Sequence, residues 1–326
     1  MARPADRSVL SSLRGSDLLS SADLSPEQTR ALLELAADLK AGRGPGPQQG
    51  RILGLIFSKA STRTRVSFSV AMARLGGQTI DLLPTVTQVG RGEPVADTAR
   101  VLSRYCDALA IRTFAQTDLE AYAHWATIPV INALTDREHP CQALADYLTM
   151  AEAFAATDGG GLALERLQGL RLAYVGDGNN VAHSLMLCGA LLGVTVSIGT
   201  PAGFAPDPKV LDQARSLAQH GATVTVVHDP VEAVRGAQAV YTDVWASMGQ
   251  EEEQDARERA FAGWCLDEAL LSEADPRAIV LHCLPAHRGE EISAGVIEGS
   301  ASRVFDQAEN RLHAQQALLA TLLGAL

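Results

Sequence analysis

Nowhere in these 326 residues is there a run of about 18 consecutive apolar side chains, which excludes a membrane-spanning helix as the organising element. Cysteine is scarce as well. Its five copies, Cys106, Cys141, Cys188, Cys265 and Cys283, are odd in number, widely spaced and without a Cys-x-x-Cys pair. That excludes a disulfide framework and fits a reducing, cytoplasmic setting, and because the cysteines and histidines show no metal-ligand spacing, no metal is expected. There is no fixed-period repeat and no low-complexity tract. Positive charge is in deficit: 27 Lys and Arg against 38 Asp and Glu leave a formal net charge of -11, which argues against nucleic acid or an anionic membrane as a partner. An anionic small ligand would need a local cationic pocket. Near the start, Arg3, Arg7 and Arg14 lead into no continuous apolar stretch and are accompanied by Asp6 and Asp17, so neither a signal peptide nor a transit peptide is expected.

The rest of the composition is that of an ordinary globular protein, 47% hydrophobic and 20% charged. The length suits two domains of roughly 150 residues. Ser25-Pro26-Glu27 reads as a helix start, with apolar residues at helical spacing as far as Lys40. Beyond a Gly/Pro-rich loop, Gly42 to Gly50, short apolar runs at Ile52–Phe57, Thr79–Leu83, Ala108–Ile111 and Pro129–Asn132 alternate with helical patterns such as Val66–Leu75 and Asp97–Tyr105. A second series follows Thr157-Asp158-Gly159-Gly160-Gly161, with strands expected at Arg171–Val175, Val194–Ile198, Thr223–Val227, Ala239–Thr242 and Ala278–His282. The fold class predicted is α/β: two doubly wound parallel-sheet domains, bridged by a helix from about Leu144 to Ala155 and followed by a final helix from about Asn310 to Leu323. Ligands of such sheets bind beyond the carboxyl ends of the strands, so the loops after Phe57, Ile111, Val175, Thr242 and His282 are where chemistry is expected.

Those loops are not bland. Ser58-Lys59-Ala60-Ser61-Thr62-Arg63-Thr64-Arg65 opens a helix, and its Ser61–Arg65 part brings three hydroxyls and two guanidinium groups together, a way to hold a phosphate; the alternative is an N-cap with solvated arginines. His139-Pro140-Cys141-Gln142, a loop before a helix, offers an imidazole and a carboxamide, although a structural histidine would read the same. Arg112 follows a strand end, where a surface ion pair is the ordinary explanation. Gly176-Asp177-Gly178-Asn179-Asn180 resembles a dinucleotide loop, but Val181 stands where the fingerprint needs glycine and no acidic residue ends the next strand, so NAD is not expected. What remains is a pair of asparagines suited to a small carboxylate. Asp243-Val244-Trp245-Ala246-Ser247-Met248-Gly249 could clamp the zwitterionic end of an amino acid, or Ser247 could cap a helix. Cys283, in His282-Cys283-Leu284-Pro285, would by itself be a small buried hydrophobe.

Taken in order, these motifs resemble the aspartate/ornithine carbamoyltransferase family over nearly the whole chain, from Leu13-Arg14-Gly15 to Asn310-Arg311. By that resemblance Ser61, Thr62, Arg63 and Thr64 bind the phosphate end of carbamoyl phosphate, and Arg112, His139, Gln142 and Arg311 complete its site, with Cys283 and Leu284 beside it. Asp243-x-x-x-Ser247-Met248-Gly249 and His282-Cys283-Leu284-Pro285 are similar to the ornithine branch; Asn180, Asp243, Ser247 and Met248 would then hold L-ornithine, and Cys283 would sit beside the reacting amine. Arg63, Arg112, His139, Cys283 and Asp243 are the implied catalytic group, and no cofactor is implied. Ser58 and Ala133 depart from the commoner glutamate and glycine, away from the contact positions. The implied division is a carbamoyl phosphate domain at 1–148, with the helix at about 308–326 packing back on it, and an ornithine domain at 149–307. The resemblance further implies a homotrimer with active sites at subunit borders and a place in arginine biosynthesis. A sister transferase using N-acylated ornithine or putrescine is the nearest alternative.

Overall fold

A computed structural model describes residues 8–44, 49–59, 61–83, 92–246 and 254–325. The chain divides into two compact units, one of Met1–Leu148, Asp158–Leu162 and Asn310–Leu326, the other of Thr149–Thr157 and Ala163–Glu309. Both are parallel α/β.

In the first unit, β1 (Ile52–Phe57), β2 (Gln78–Leu82), β3 (Ala108–Arg112) and β4 (Val130–Leu134) form a sheet ordered β2-β1-β3-β4. Every pairing is parallel. Both β1 and β3 are almost wholly buried, which explains why they appear in the sequence as continuous apolar runs rather than as alternating patterns. Ile56, Leu109, Ile111, Leu119, Tyr122 and Val130 build a core on one face. The helix Pro26–Lys40 begins as the sequence predicts: the Ser25 hydroxyl accepts from the Gln28 amide while the Gln28 side chain returns to the Ser25 amide.

The second unit contains β5 (Arg171–Val175), β6 (Thr195–Gly199), β7 (Val224–Val227), β8 (Ala239–Thr242) and β9 (Ile279–His282), ordered β7-β6-β5-β8-β9 and again parallel throughout. The helix Asn180–Leu192 is buried almost along its length and stops at Gly193, whose φ of 76° is the left-handed closure that glycine adopts without a steric cost. An aromatic cluster centred on Phe261 stacks against Trp245 and meets Phe204 and Trp264 edge-on.

Each strand order reverses once. In the first sheet the chain moves from β1 outward to β2 and then returns to the other side of β1 as β3; in the second it moves from β5 to β6 and β7, then returns beside β5 as β8. A crevice opens at such a reversal because the two following connections leave on opposite faces. The reversals narrow the search to the loops after β1 and β3 in one unit, and after β5 and β8 in the other.

Helix bounds differ from the sequence reading in two informative places. The helix expected from Leu144 starts at Pro140, so Cys141 and Gln142 stand in its first turn rather than in a loop, with proline at the first helical position. The last helix starts at Val304 rather than near Asn310. Its early turns carry buried polar residues, Gln307 and Asn310 among them, which hide the apolar periodicity that announces a helix.

Candidate functional site

At the first reversal, β1 leads through Ser58, Lys59 and Ser61 into the helix Arg63–Arg74; Ala60 lies outside the described residues. Thr62 occupies the N-cap, but its side chain makes no capping hydrogen bond. The first-turn amides are therefore not claimed by that hydroxyl, as they would be in a self-capped helix. Thr62 and Arg63 are exposed, Ser61 is half-buried and Thr64 is buried. Arg65 is turned elsewhere: it pairs with Asp81 on β2 at 3.2 Å and lies over the Phe57 ring, so the two guanidinium groups of the motif do not converge. Residues two apart on a helix face in nearly opposite directions, which is the physical reason.

Buried groups stand behind this helix start. Arg311, 4% exposed, donates one Nη to the Thr64 hydroxyl at 3.0 Å and the other to the Gln142 carboxamide oxygen. Gln142 in turn donates Nε2 to Asp146 at 2.7 Å. This chain of bonds fixes which way the Gln142 amide faces, with its oxygen toward Arg311. Arg112 ends β3 at a register shift between Ile111 and Arg112, and is 9% exposed. The solvated ion pair that is usual for such an arginine is thereby ruled out. His139 is buried, and its pKa is held well below the ordinary 6.5, first by burial and then by Arg311, Arg112 and Arg63. An imidazole among three guanidiniums stays neutral, so it can donate one hydrogen bond without adding a fourth positive charge.

The second reversal has the opposite character. Asn179 caps the helix Asn180–Leu192, its Oδ1 accepting from the amides of Val181 and Ala182. Its Nδ2 donates to Asp243 Oδ2 at 2.9 Å. Asp243, just beyond β8, receives the Cys283 thiol on Oδ1 at 2.9 Å and the Val244 amide on the same oxygen at 2.8 Å. Behind this group Tyr174 is buried, its pKa raised well above 10 by burial and then by Asp243, Asp177 and Cys283. Asp177 is paired with Arg257 at 2.7 Å, and Arg257 also donates to the Trp245 carbonyl, joining the two loops of the reversal. Gly178 permits the approach: a Cβ there would sit 2.3 Å from the Pro206 nitrogen. Cys283 and Leu284 follow β9, and Leu284 takes a φ of 57°.

Each unit thus gathers a part of the predicted set. Ser61, Thr62, Arg63, Thr64, Arg112, His139, Gln142 and Arg311 belong to the first unit; Asn180, Asp243, Cys283 and Leu284 belong to the second. Ser247 and Met248 lie outside the described residues. The sequence reading missed Asn179 as the partner of Asp243, although it had singled out the asparagine pair, and it gave no weight to Asp146, which has no motif signal. Among the described residues, donor atoms of Asp243, His282 and Cys283 lie within 4.8 Å of one another, as do those of His287, Glu290 and Glu291. Both ring nitrogens of His282 are engaged by protein groups.

Comparison with known proteins adds an independent line. Residues 16–152 match the family described as "Aspartate/ornithine carbamoyltransferase, carbamoyl-P binding domain", and residues 168–322 match its "Asp/Orn binding domain". An ornithine carbamoyltransferase of Parasynechococcus marenigrum is 71% identical over 318 residues, 98% of this chain and 97% of the relative. The crystal structure of ornithine carbamoyltransferase from Gloeobacter violaceus is similar at TM-score 0.84 and 55% identity, covering 95% of this chain and 99% of that one. The ornithine carbamoyltransferase from Pyrococcus furiosus is similar at TM-score 0.89 and 48% identity, covering 96% and 99%.

Proposed function

This chain belongs to the aspartate/ornithine carbamoyltransferase family, and from that premise we propose that it moves the carbamoyl group of carbamoyl phosphate to the side-chain amine of L-ornithine, giving L-citrulline and phosphate. The observation that carries the reading is the pairing of opposite clusters: guanidiniums around a neutral imidazole in one unit, a carboxylate holding a thiol in the other. A dianionic donor and a cationic amine call for those two environments.

In this reading Ser61, Thr62, Arg63, Thr64, Arg112, His139, Gln142 and Arg311 hold carbamoyl phosphate, with Cys283 and Leu284 beside it. Asn180, Asp243, Ser247 and Met248 hold ornithine. The first domain role falls to residues 1–148 with the helix at about 308–326, the second to 149–307. The neutral amine forms a C–N bond to the carbonyl carbon, the tetrahedral species expels phosphate as its C–O bond breaks, and the nitrogen releases a proton. Orienting two bound reactants supplies much of the rate. Arg63, Arg112 and His139 stabilise the charge that grows on the carbonyl and leaving oxygens. An alkylammonium titrates near 10.4, so at neutral pH ornithine must shed a proton before attack, and Cys283 with Asp243 is the group that accepts or steers it.

No helix among the described residues is long and apolar enough to cross a membrane, and the reading includes a cytoplasmic enzyme of arginine biosynthesis. It also includes a homotrimer. Val66 and Val70, one turn apart on the helix Arg63–Arg74, and Ile80 on edge strand β2 are exposed apolar groups, which supports an interface on that side. Light scattering giving a monomer mass at micromolar concentration would remove that part. The activity itself is tested by citrulline formation from carbamoyl phosphate with ornithine, N-acetylornithine or putrescine as amine. Turnover with ornithine alone is expected; preference for either other amine would replace the reading with that of a sister transferase.

A further inference from the structure

The turn that carries Cys283 and Leu284 is held by a buried pair of side chains, His282 of that motif and Glu291, to neither of which the sequence assigns a role. His282, the last residue of β9, and Glu291 are both without exposed side-chain surface, and His282 Nε2 lies 3.0 Å from Glu291 Oε1. The same carboxylate oxygen accepts the His287 amide at 2.6 Å. On the other side of the ring, the Leu284 amide meets His282 Nδ1 at 2.9 Å. A backbone amide can only donate, so Nδ1 must be the unprotonated nitrogen. The ring proton then lies on Nε2, where the carboxylate receives it. The His282 amide is itself anchored, donating to Gln307 Oε1 at 2.8 Å, and Gln307 reaches Tyr241 through its Nε2.

That bond to Nδ1 closes on a residue in an unfavourable conformation. Leu284 has a φ of 57°, in the left-handed region that residues with a Cβ seldom adopt. Between the anchored His282 and the constrained Leu284 sits Cys283, whose thiol is aimed at Asp243. We infer that Glu291 and His282 are positioning residues for the transfer reaction: the carboxylate fixes the Nε2-protonated tautomer, the free Nδ1 captures the Leu284 amide, and the captured turn sets the Cys283 thiol and the Leu284 backbone in place. Neither side chain touches substrate. Glu291 is needed only as an acceptor, because both groups on its Oε1 donate; a glutamine can present a carbonyl oxygen there, whereas a leucine of similar bulk cannot.

The inference rests on the proposed roles of Cys283 and Leu284, and its test separates the two. Glu291→Leu is expected to lower kcat for citrulline formation about a hundredfold through displacement of the turn, with a much smaller rise in the KM for carbamoyl phosphate, which Leu284 flanks but whose anion site belongs to the other unit. Glu291→Gln should recover most of the loss, which a nonspecific packing defect would not allow. A Glu291→Leu kcat within twofold of the unsubstituted enzyme, or a Glu291→Gln as impaired as Glu291→Leu, overturns the inference. Should Glu291→Leu fail to fold, 15N NMR of the unsubstituted protein labelled at histidine decides: a pyridine-like Nδ1 and a protonated Nε2 at His282 are expected, and a protonated Nδ1 overturns the inference. That measurement is independent of activity, so an unsubstituted enzyme that makes no citrulline counts against the proposed reaction and leaves the tautomer test standing.

Discussion

The loops at the two strand-order reversals have the same topology and opposite chemistry. Around β1 and β3, burial and then the charges of Arg311, Arg112 and Arg63 depress the His139 imidazole; around β5 and β8, a carboxylate collects a thiol and a carboxamide, and the neighbouring phenol is pushed toward its neutral form. The fold supplies the crevice in both cases. The side chains placed at its rim decide the sign of the ligand, and in a chain of formal net charge -11 a cationic site exists only because arginines from distant segments, Arg63, Arg112 and Arg311, are brought together. Net charge governs encounter over long range, whereas a desolvated local cluster governs what stays bound.

The sharpest way to break the contrast is to remove a cation from the first cluster. Arg63→Ala should cut turnover on the order of a thousandfold, the scale of losing one preorganised charge-stabilising donor, while circular dichroism shows the fold intact; near-normal citrulline production would end the assignment. In the second cluster, Cys283→Ser is expected to lower ornithine-dependent turnover about a hundredfold and to move its pH profile. An unchanged profile returns Cys283 to the role of a small hydrophobe. Asp146→Leu tests how the first cluster is supported: without an acceptor that fixes Gln142, the KM for carbamoyl phosphate should rise about tenfold, the scale of one displaced hydrogen bond to a charged group. Calorimetric titration that finds unaltered donor affinity would contradict this.

The smallest effect concerns stability. Because burial and three arginines lower the folded-state pKa of His139 below the ordinary 6.5, the unfolded chain takes up a proton that the native site refuses. Stability is therefore unaffected above that value and is lost as the pH falls below it. His139→Asn should flatten the decline in melting temperature between about pH 7.5 and pH 5. An equally steep decline would mean that other groups carry the acid sensitivity. Cys141, pushed up to about 12 by burial, gives a control: iodoacetamide should leave it unmodified in the native enzyme under conditions that label Cys283.

Most of the fold was legible from composition and pattern. Buried parallel strands such as β1 and β3 announce themselves as apolar runs, and each of the nine expected strands appears among the described residues within a residue or two of its predicted place. The helix at Pro26 was equally legible from Ser25 and Pro26, since a cap is a local arrangement of a few residues. Of the candidate site, the segments that lie contiguous in sequence, such as Ser61 to Thr64 and His282 to Leu284, could be read directly. Asp146 could not, because a lone aspartate in a helical pattern carries no signal until its partner Gln142 is known to face Arg311. Nor could the departure of Arg65, which depends on Asp81 lying across on β2.

The sequence by itself determined the elements, the two-part organisation and the chemical inventory, because these follow from local propensity and from periodicities only a few residues long. Tertiary structure alone decided which of those groups act together. Arg311 and Thr64 are 247 positions apart and Asp243 and Cys283 are 40 apart, and hydrogen bonds, charge shifts and tautomers depend on distances through space that no local pattern encodes.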